Sequence, residues 1–531
     1  MEENTKMRKY LLFTSLFLGI AFDLFFWKKV PGVSFSIFIT LCLVSGYLLL
    51  RSQNIYPARM SLLLLVPITF FSAMTFIRLD PFTSFLNCTL TLFSMTILVM
   101  VYRSGLWISY SLSDYVVNVF HLIGSMLTLP WIQITNTGSQ QKTIIGKKQQ
   151  NNLWPILRGA LLAIPVLFVF GALFSSADLI FAKRLNDLLN NFNLQQLGEY
   201  IFRGSYILII AYFLVGIFSH AASQSQNKKM IGIDKPVVAP FLGFTEASII
   251  LGSILLLFGA FVIIQFQYFF FGQINITLAG FTYSEYARRG FGELVAVAVF
   301  SLMLLKSLSA ITKRESNRQK KSFSGLTIGL VTLVIIILMS SFQRLFLYES
   351  AYGFSRLRAY SHVFMIWLGI LLVVVVIIEI FKRQRAFAIV ALLVLMGFTA
   401  SLNILNVDAF IAHQNINRAI QGKELDIAYL SALTNDAVPA LVKDYSSSNL
   451  LPKIKDGIGA ALVCLKVFKE ADVSQTQFWQ SFHLSDWNAS REFSKVQESL
   501  KSYQVQGDTW PIIIIGPNGT EYPCQENYLS D

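Results

Sequence analysis

Residues 361–385 read SHVFMIWLGILLVVVVIIEIFKRQR. Apart from His362 and Glu379, residues 361–381 are apolar or small, and a basic cluster follows them. A helix needs about 20 mainly apolar residues to cross the hydrocarbon core of a bilayer. This stretch therefore predicts a membrane-spanning helix with its basic end at a membrane surface.

Further runs of this kind occur along the 531-residue chain. Together they predict eleven spans, near residues 10–27, 32–50, 58–77, 82–102, 155–175, 202–222, 245–267, 290–311, 325–342, 361–381 and 386–404. We therefore expect an all-α fold in which residues 1–404 form a polytopic transmembrane helix bundle. A small, mostly helical C-terminal soluble domain follows over residues 405–531, and it is called the tail below.

The composition is typical of a chain whose main solvent is lipid. Only 14% of the residues are charged, whereas soluble chains carry about 25%. The net charge of +13 comes from short basic clusters between the apolar runs, which we interpret as topology signals and contacts with anionic lipid. We expect the lipid bilayer as a partner and no nucleic acid. The sequence identifies no protein partner.

Two stretches, 107–129 and 181–201, are amphipathic. In each of them apolar residues recur at helical spacing opposite polar ones, such as Asp114 and His121 in the first and Lys183 and Asp187 in the second. This pattern predicts helices that lie in the membrane interface or against the bundle. If 107–129 did cross the membrane, the predicted orientation of every later span would invert.

The distribution of basic residues predicts the orientation of the bundle. If the N-terminus is cytoplasmic, the inner loops hold about twice as many Lys and Arg residues as the outer loops, and the basic loops 312–324 and 382–386 are both inside. Eleven spans then place the tail outside the cytoplasm. There Cys464 and Cys524 could form a disulfide, although sequence alone fixes no pairing. Near the end of the tail, residues 510–519 predict one short strand and a turn.

Charged residues collect where two spans begin on the outer side. The candidate polar cluster consists of two groups, Glu285, Arg288, Arg289 and Glu293 before the eighth span, and Glu349, Tyr352, Arg356 and Arg358 before the tenth. Charges near the membrane usually pair or face water. One interpretation is that ion pairs dock the spans and the tail together, since Asp408, His413, Asn415 and Arg418 lie on the same side. The other is a ligand or ion site that opens outward and takes an anion, because Arg binds carboxylate and phosphate well.

No motif identifies a reaction. The five histidines are far apart, and we find no phosphate-binding loop, nucleophile elbow or His-Glu-x-x-His motif. We therefore expect no catalytic residue, no metal and no cofactor. The first hypothesis is a non-enzymatic protein that senses, scaffolds or binds through its outer face. The alternatives are a transporter or permease for a small, possibly anionic solute, and an intramembrane enzyme that acts on a lipid-linked substrate.

Several strings resemble a known family. These are residues 281–295 (FTYSEYARRGFGELV), 347–358 (LYESAYGFSRLR) and 406–418 (NVDAFIAHQNINR), together with 22–32, 170–178 and 425–433. They resemble the bacterial multi-pass membrane proteins called domain of unknown function (DUF) 4173, a family similar to DUF 4153. The resemblance implies a bacterial cell-membrane location and an uncharacterised function. It does not extend beyond about residue 445.

Overall fold

The structure is a computed structural model. It describes residues 2–139, 194–226, 239–278, 291–448, 450–473, 478–507 and 511–525, together with 170, 174–175, 178, 180–181, 183–184 and 230. Within these ranges, eleven helices are long and apolar enough to cross a membrane. The predicted all-α transmembrane bundle with a small, mostly helical C-terminal region is confirmed.

The helices of the bundle run α1 Glu2–Phe26, α2 Val33–Arg51, α3 Arg59–Leu62, α4 Leu65–Ile77, α5 Pro81–Val101, α6 Leu112–Ser139, α7 Leu194–Ser223, α8 Phe244–Leu278, α9 Phe291–Ile311, α10 Asn317–Tyr352, α11 Arg356–Ile380 and α12 Ala386–Leu405. Several pairs of consecutive helices are joined by short connections, as between Tyr352 and Arg356. Short connections make sequence neighbours antiparallel, so the bundle has two ends. One end carries the N-terminus, and the other, called the tail end, carries the tail.

Helix α6 differs from the prediction for 107–129. The chain makes a 3-10 turn at Leu106–Ser109, and the part of α6 from Leu112 to Gln133 is a candidate span. Ser125 Oγ lies 2.9 Å from His220 Nδ1 of α7, and the buried Asp114 carboxylate lies 3.4 Å from Arg385 Nη2, whereas His121 is exposed. Polar side chains whose hydrogen-bond partners lie on a neighbouring helix give the same sequence pattern as polar side chains that face water. The prediction left two positions open, in the interface or against the bundle, and α6 packs against α7 of the bundle.

The alternation of the later spans nevertheless stays as predicted. Helix α7 begins beside the end of α1, where Arg203 Nε donates to Asp23 Oδ1 over 2.9 Å. Because α6 runs antiparallel to α7, Ser139 and Leu194 lie at the same end of the bundle, the tail end. The predicted span 155–175 lies almost entirely outside the described residues. Residues 185–193 of the second amphipathic stretch also lie outside the described residues. The part of that stretch from Leu194 onward belongs to α7.

Close helix contacts in the bundle depend on small residues. A Cβ atom at Gly397 of α12 would lie 2.1 Å from the indole ring of Trp367 in α11, so only glycine allows this ring to pack there. The same indole donates from Nε1 to Ser401 Oγ over 3.0 Å. Between α5 and α12, the buried amides of Asn87 and Asn403 donate to each other over 2.9 and 2.8 Å. These hydrogen bonds satisfy polar groups that would otherwise be costly in an apolar environment.

The tail contains α13 Val407–Ile420, α14 Ile427–Ser431, α15 Val438–Tyr445, α16 Pro452–Val473 and α17 Leu484–Leu500, with 3-10 turns at Asn435–Ala437 and Trp479–Ser481. It ends in a three-stranded antiparallel sheet in the order β1 Gln504–Gln506, β2 Ile513–Ile515, β3 Glu521–Pro523. The sequence predicts only the middle strand, because the other two are short and mostly exposed. Cys464 and Cys524 form a disulfide that ties α16 to the end of the sheet.

The tail shares a core with the bundle. One cluster of buried side chains joins Ala359, Phe398 and Leu402 of the bundle to Val407 and Ile411 of the tail, and it continues through α15, α16 and α17. Apolar burial of this kind is the main stabilising contribution to packed domains. The tail is therefore packed onto the tail end of the bundle.

Candidate functional site between the bundle and the tail

The eight predicted site residues do not all fall in the described part of the chain. Glu285, Arg288 and Arg289 lie outside it. Glu293 is exposed in the first turn of α9. The remaining four surround the junction between α10 and α11, beside the tail. One of them, Arg356, belongs to a buried polar cluster that joins the bundle to the tail.

Arg356 begins α11 and forms an ion pair with the tail. Its Nε and Nη2 atoms donate to Asp408 Oδ1 and Oδ2, each over 2.7 Å, and the Asp408 side chain is completely buried. Thr434 donates to the same Oδ2 from its backbone N over 2.7 Å and from its hydroxyl over 2.6 Å. The Arg356 backbone N donates to the hydroxyl of Tyr429 over 2.8 Å. A bidentate guanidinium–carboxylate pair fixes both distance and orientation, so it sets how the tail sits on α11.

Asp80 brings the turn between α4 and α5 into the same site. It caps α5 by accepting from Thr83 N over 2.9 Å, and Pro81 follows at the first helical position. Its Oδ1 atom accepts a hydrogen bond from the Tyr360 hydroxyl and lies 3.9 Å from Arg356 Nε. Burial raises the pKa of the Asp80 carboxyl above its usual value, and the charge of Asp408 raises it further.

Asp436 completes the site from the tail. Its Oδ2 atom accepts from Leu79 N over 2.8 Å, and its Oδ1 atom lies 3.7 Å from Arg78 Nη1. Burial raises the pKa of the Asp436 carboxyl, although the hydrogen bond from Leu79 opposes this shift. Arg78, Asp80, Arg356, Asp408 and Asp436 are called the aspartate–arginine cluster below. The cluster has three carboxyl groups and two guanidinium groups, so retention of a proton by one carboxyl is electrostatically favoured.

A second set of contacts closes the end of α10. The Asn415 side chain accepts from Phe354 N over 2.8 Å and donates to Phe354 O over 2.9 Å. Arg418 Nη2 donates to the carbonyl oxygens of Ser350 and Ala351, over 3.1 and 3.2 Å. These carbonyls are among the last four of α10, which have no partner within the helix. Residues of the tail thus cap a helix of the bundle.

The other predicted residues at this junction have separate partners. Glu349 is buried, and its Oε2 atom lies 2.7 Å from His362 Nε2. Glu349 Oε1 and His362 Nδ1 have no hydrogen-bond partner within the described structure. Arg358 donates to Gly353 O and lies over the Tyr348 ring, with Cζ 4.2 Å from its centroid. Tyr352 is exposed and contacts the same ring, with centroids 5.0 Å apart. The four residues therefore do not converge on one cavity.

Comparison with known families finds a match over much of the chain. The sequence model of a family described as Domain of unknown function (DUF4153) matches residues 65–443. The chain belongs to the DUF4153 family. The predicted resemblance to DUF 4173 itself is not confirmed, and the match supports the related family. No curated protein and no solved structure matches the chain.

The DUF4153 region begins with α4 and ends within α15, so it includes both sides of the aspartate–arginine cluster. It therefore crosses the predicted boundary at residue 405 between bundle and tail. The family region covers the first helices of the tail together with the spans they contact. The last part of the chain, with α16, α17 and the sheet, lies beyond the match.

Sequence reasoning missed four contributors to the site: Arg78, Asp80, Thr434 and Asp436. Asp80 precedes Pro81, a pattern that predicts a helix start and could have been noticed. Asp436 and Thr434 lie in a polar stretch of the tail that gives no indication of burial. Within the described residues no group of three His, Cys, Asp or Glu side chains could hold a metal ion.

Proposed function

We propose that this DUF4153 protein is a non-enzymatic membrane protein whose bundle holds the tail in a fixed position, so that the tail senses, scaffolds or binds on the extracytoplasmic face. The observation that carries the proposal is the aspartate–arginine cluster. Arg356, a candidate ligand of a solute, forms two hydrogen bonds with Asp408 of the tail instead. Charges at this end of the bundle thus contribute to docking.

The proposed orientation is N-terminus cytoplasmic and tail extracytoplasmic, in the cell membrane. Two observations support it. The end of the bundle opposite the tail carries the basic clusters 313–321 and 382–385, as the positive-inside rule requires. The tail contains the Cys464–Cys524 disulfide, and such bonds persist in oxidising compartments outside the cytoplasm.

The second candidate function is transport of a small solute, and one observation favours it. Glu349 is buried near the tail end of α10 and His362 is partly buried near that of α11, each with one polar atom that has no described partner. Buried ionisable residues in membrane helices often mark solute or proton routes. Transport through this route requires water to reach the buried face of α10.

Cysteine accessibility separates these functions. The background chain has Cys42 and Cys88 replaced by Ala, and each variant adds one cysteine: Lys423→Cys, Lys320→Cys or Leu345→Cys. Intact cells that carry one variant are treated with a membrane-impermeant maleimide. Lys423 is exposed in the tail, Lys320 is exposed at the opposite end, and Leu345 is fully buried one turn from Glu349. We expect labelling at 423 in intact cells, at 320 only after permeabilisation, and none at 345.

Each result has a distinct meaning. Labelling of Leu345→Cys from outside would show a water-filled route and would favour transport. Labelling of Lys320→Cys in intact cells would invert the orientation and remove the extracytoplasmic tail from the proposal. The Lys423→Cys variant also serves as the positive control for reagent access.

A further inference from the structure

A short segment of the tail exposes four large aromatic side chains. Phe478, Trp479, Phe482 and Trp487 are 45, 57, 42 and 52% exposed, and they are called the aromatic patch below. Aromatic residues at such density rarely face water without a partner. Three of them belong to the 3-10 turn Trp479–Ser481 or lie next to it, and Trp487 lies in the first turn of α17.

The aromatic patch is fixed to the ends of the first two spans. The Trp479 ring is 5.9 Å from the ring of Phe25, which lies at the end of the candidate span Met7–Phe26. Val33, where the next span begins, donates from its backbone N to Phe482 O over 3.0 Å. The patch therefore lies at the level where these helices leave the apolar part of the membrane.

The fit between the patch and the connection 27–32 is close. A Cβ atom at Gly32 would lie 2.6 Å from Phe482 O and 2.8 Å from the carbonyl carbon of Ser481. Both are backbone atoms, which cannot rotate away as a side chain does. Helix α17 also contacts α4. The position of the patch is thus set by backbone contacts with several helices of the bundle.

Basic side chains accompany the aromatic ones. Lys29 Nζ lies 5.2 Å from the centroid of the Phe478 ring. The Lys28 side chain is 67% exposed, and its Nζ atom lies 2.8 Å from Glu199 Oε2. Tryptophan, with its apolar ring and polar N–H, concentrates at the level of lipid headgroups, and nearby lysines attract their phosphates. This combination, at this level, matches the polar–apolar boundary of a bilayer.

We propose that the aromatic patch is a lipid-binding surface that inserts into the headgroup region of the leaflet on the tail side. Its ligand is the phospholipid surface, with the rings among the upper acyl chains and the lysines at the phosphates. The tail then has two attachments, the aspartate–arginine cluster to the bundle and the aromatic patch to the bilayer. The proposal depends on the position of the patch relative to the spans, whichever compartment holds the tail.

The test uses the full chain in bilayers of phosphatidylcholine and phosphatidylglycerol. A nitroxide label is attached at Trp487→Cys or Phe478→Cys, with Cys42 and Cys88 replaced by Ala. Its collisions with oxygen, which concentrates in lipid, are compared with its collisions with a polar nickel chelate. The matched control is Glu498→Cys at the other end of α17, where the side chain is 85% exposed. We expect the nickel-to-oxygen collision ratio to be several-fold lower at the patch than at 498.

Two results would overturn the proposal. A ratio at 487 and 478 equal to that at 498 means that the patch faces water. Low collision with both reagents means that protein covers it. A second measurement needs no label: the fluorescence of the wild-type chain is quenched by phosphatidylcholine brominated near the headgroup, and Trp487→Phe is expected to lose part of that quenching. Equal quenching of both chains would contradict the insertion of Trp487.

Discussion

The Asp408→Asn substitution tests whether the ion pair holds the tail. Asp408 Oδ2 accepts from Arg356 Nη2 and twice from Thr434, whereas Oδ1 accepts only from Arg356 Nε. An asparagine therefore keeps most hydrogen bonds if its oxygen takes the Oδ2 position. Its amide nitrogen then faces Arg356 Nε, so two donors meet and the guanidinium loses its paired charge.

The expected cost follows from this geometry. Removing one partner of a buried ion pair destabilises a protein by about 3–5 kcal/mol. Because most acceptor positions survive and Asp80 remains 3.9 Å from Arg356, we expect the lower part of this range, about 3 kcal/mol. At about 1.4 kcal/mol per factor of ten, the fraction of molecules with an undocked tail rises by roughly two orders of magnitude.

Amide hydrogen exchange of the purified protein in detergent measures this change. The reporter is the Thr434 amide, which donates to Asp408, and its protection should fall by about 100-fold. The control is Glu498→Gln, which removes an exposed pair with Lys501 and should change stability by less than about 0.5 kcal/mol. Adding Arg356→Met to the Asp408→Asn chain should recover part of the loss, because the unpaired guanidinium is removed while the asparagine oxygen can still accept from Thr434.

A loss below about 1 kcal/mol, equal to that of a surface pair, would refute the reasoning. Docking would then depend on the shared apolar core and the Asn415 contacts with Phe354. A large loss that the double replacement does not reduce would show that Asp408 acts through Thr434 rather than through Arg356.

Three further predictions concern the tail and the bundle. Since the pKa of Asp436 is raised, the folded state binds a proton at this carboxyl more tightly than the unfolded chain does. Asp436 should therefore stabilise the fold more as pH falls towards the usual carboxyl range of about 4, so the unfolding midpoint of the wild-type chain should rise relative to that of Asp436→Asn as pH falls. Replacing Cys464 and Cys524 by Ser opens a loop with a sequence separation of 60 and should cost the tail about 4 kcal/mol in chemical denaturation. In Gly397→Ala the new methyl group would overlap an indole ring, which should cost about 1–3 kcal/mol in thermal unfolding, whereas Gly369→Ala makes an ordinary 3.7 Å contact and should be close to neutral.

Controls for these predictions use the same assays. A midpoint difference between the wild-type chain and Asp436→Asn that stays constant or shrinks as pH falls would contradict the raised pKa of Asp436. Unchanged tail stability after loss of both cysteines would mean that the closed loop does not restrict the unfolded chain. If Gly397→Ala and Gly369→Ala unfold at the same temperature, the packing of Trp367 against Gly397 does not limit stability.

The sequence determined the class of the fold because a long apolar run can adopt few backbone conformations in lipid. Every backbone polar group must be satisfied within the segment, so runs such as 361–381 can only be helices. For 107–129 the same reasoning did not decide between the interface and the bundle. A polar stripe indicates that polar groups need partners, but it does not indicate whether water or a neighbouring segment supplies them, and in the structure His220 of α7 contacts Ser125 while His121 is exposed.

The sequence also predicted a charged cluster beside the tail, with Arg356 on one side and Asp408 on the other. Only the tertiary structure decided that these two residues pair and that Asp80 and Asp436 join them, since the four acidic and basic groups come from separated segments of the chain. Likewise, Cys464 and Cys524 had no assigned partner until folding brought the end of the sheet to α16. Local patterns determine helices, because their hydrogen bonds are local, whereas which charges meet depends on how those helices pack.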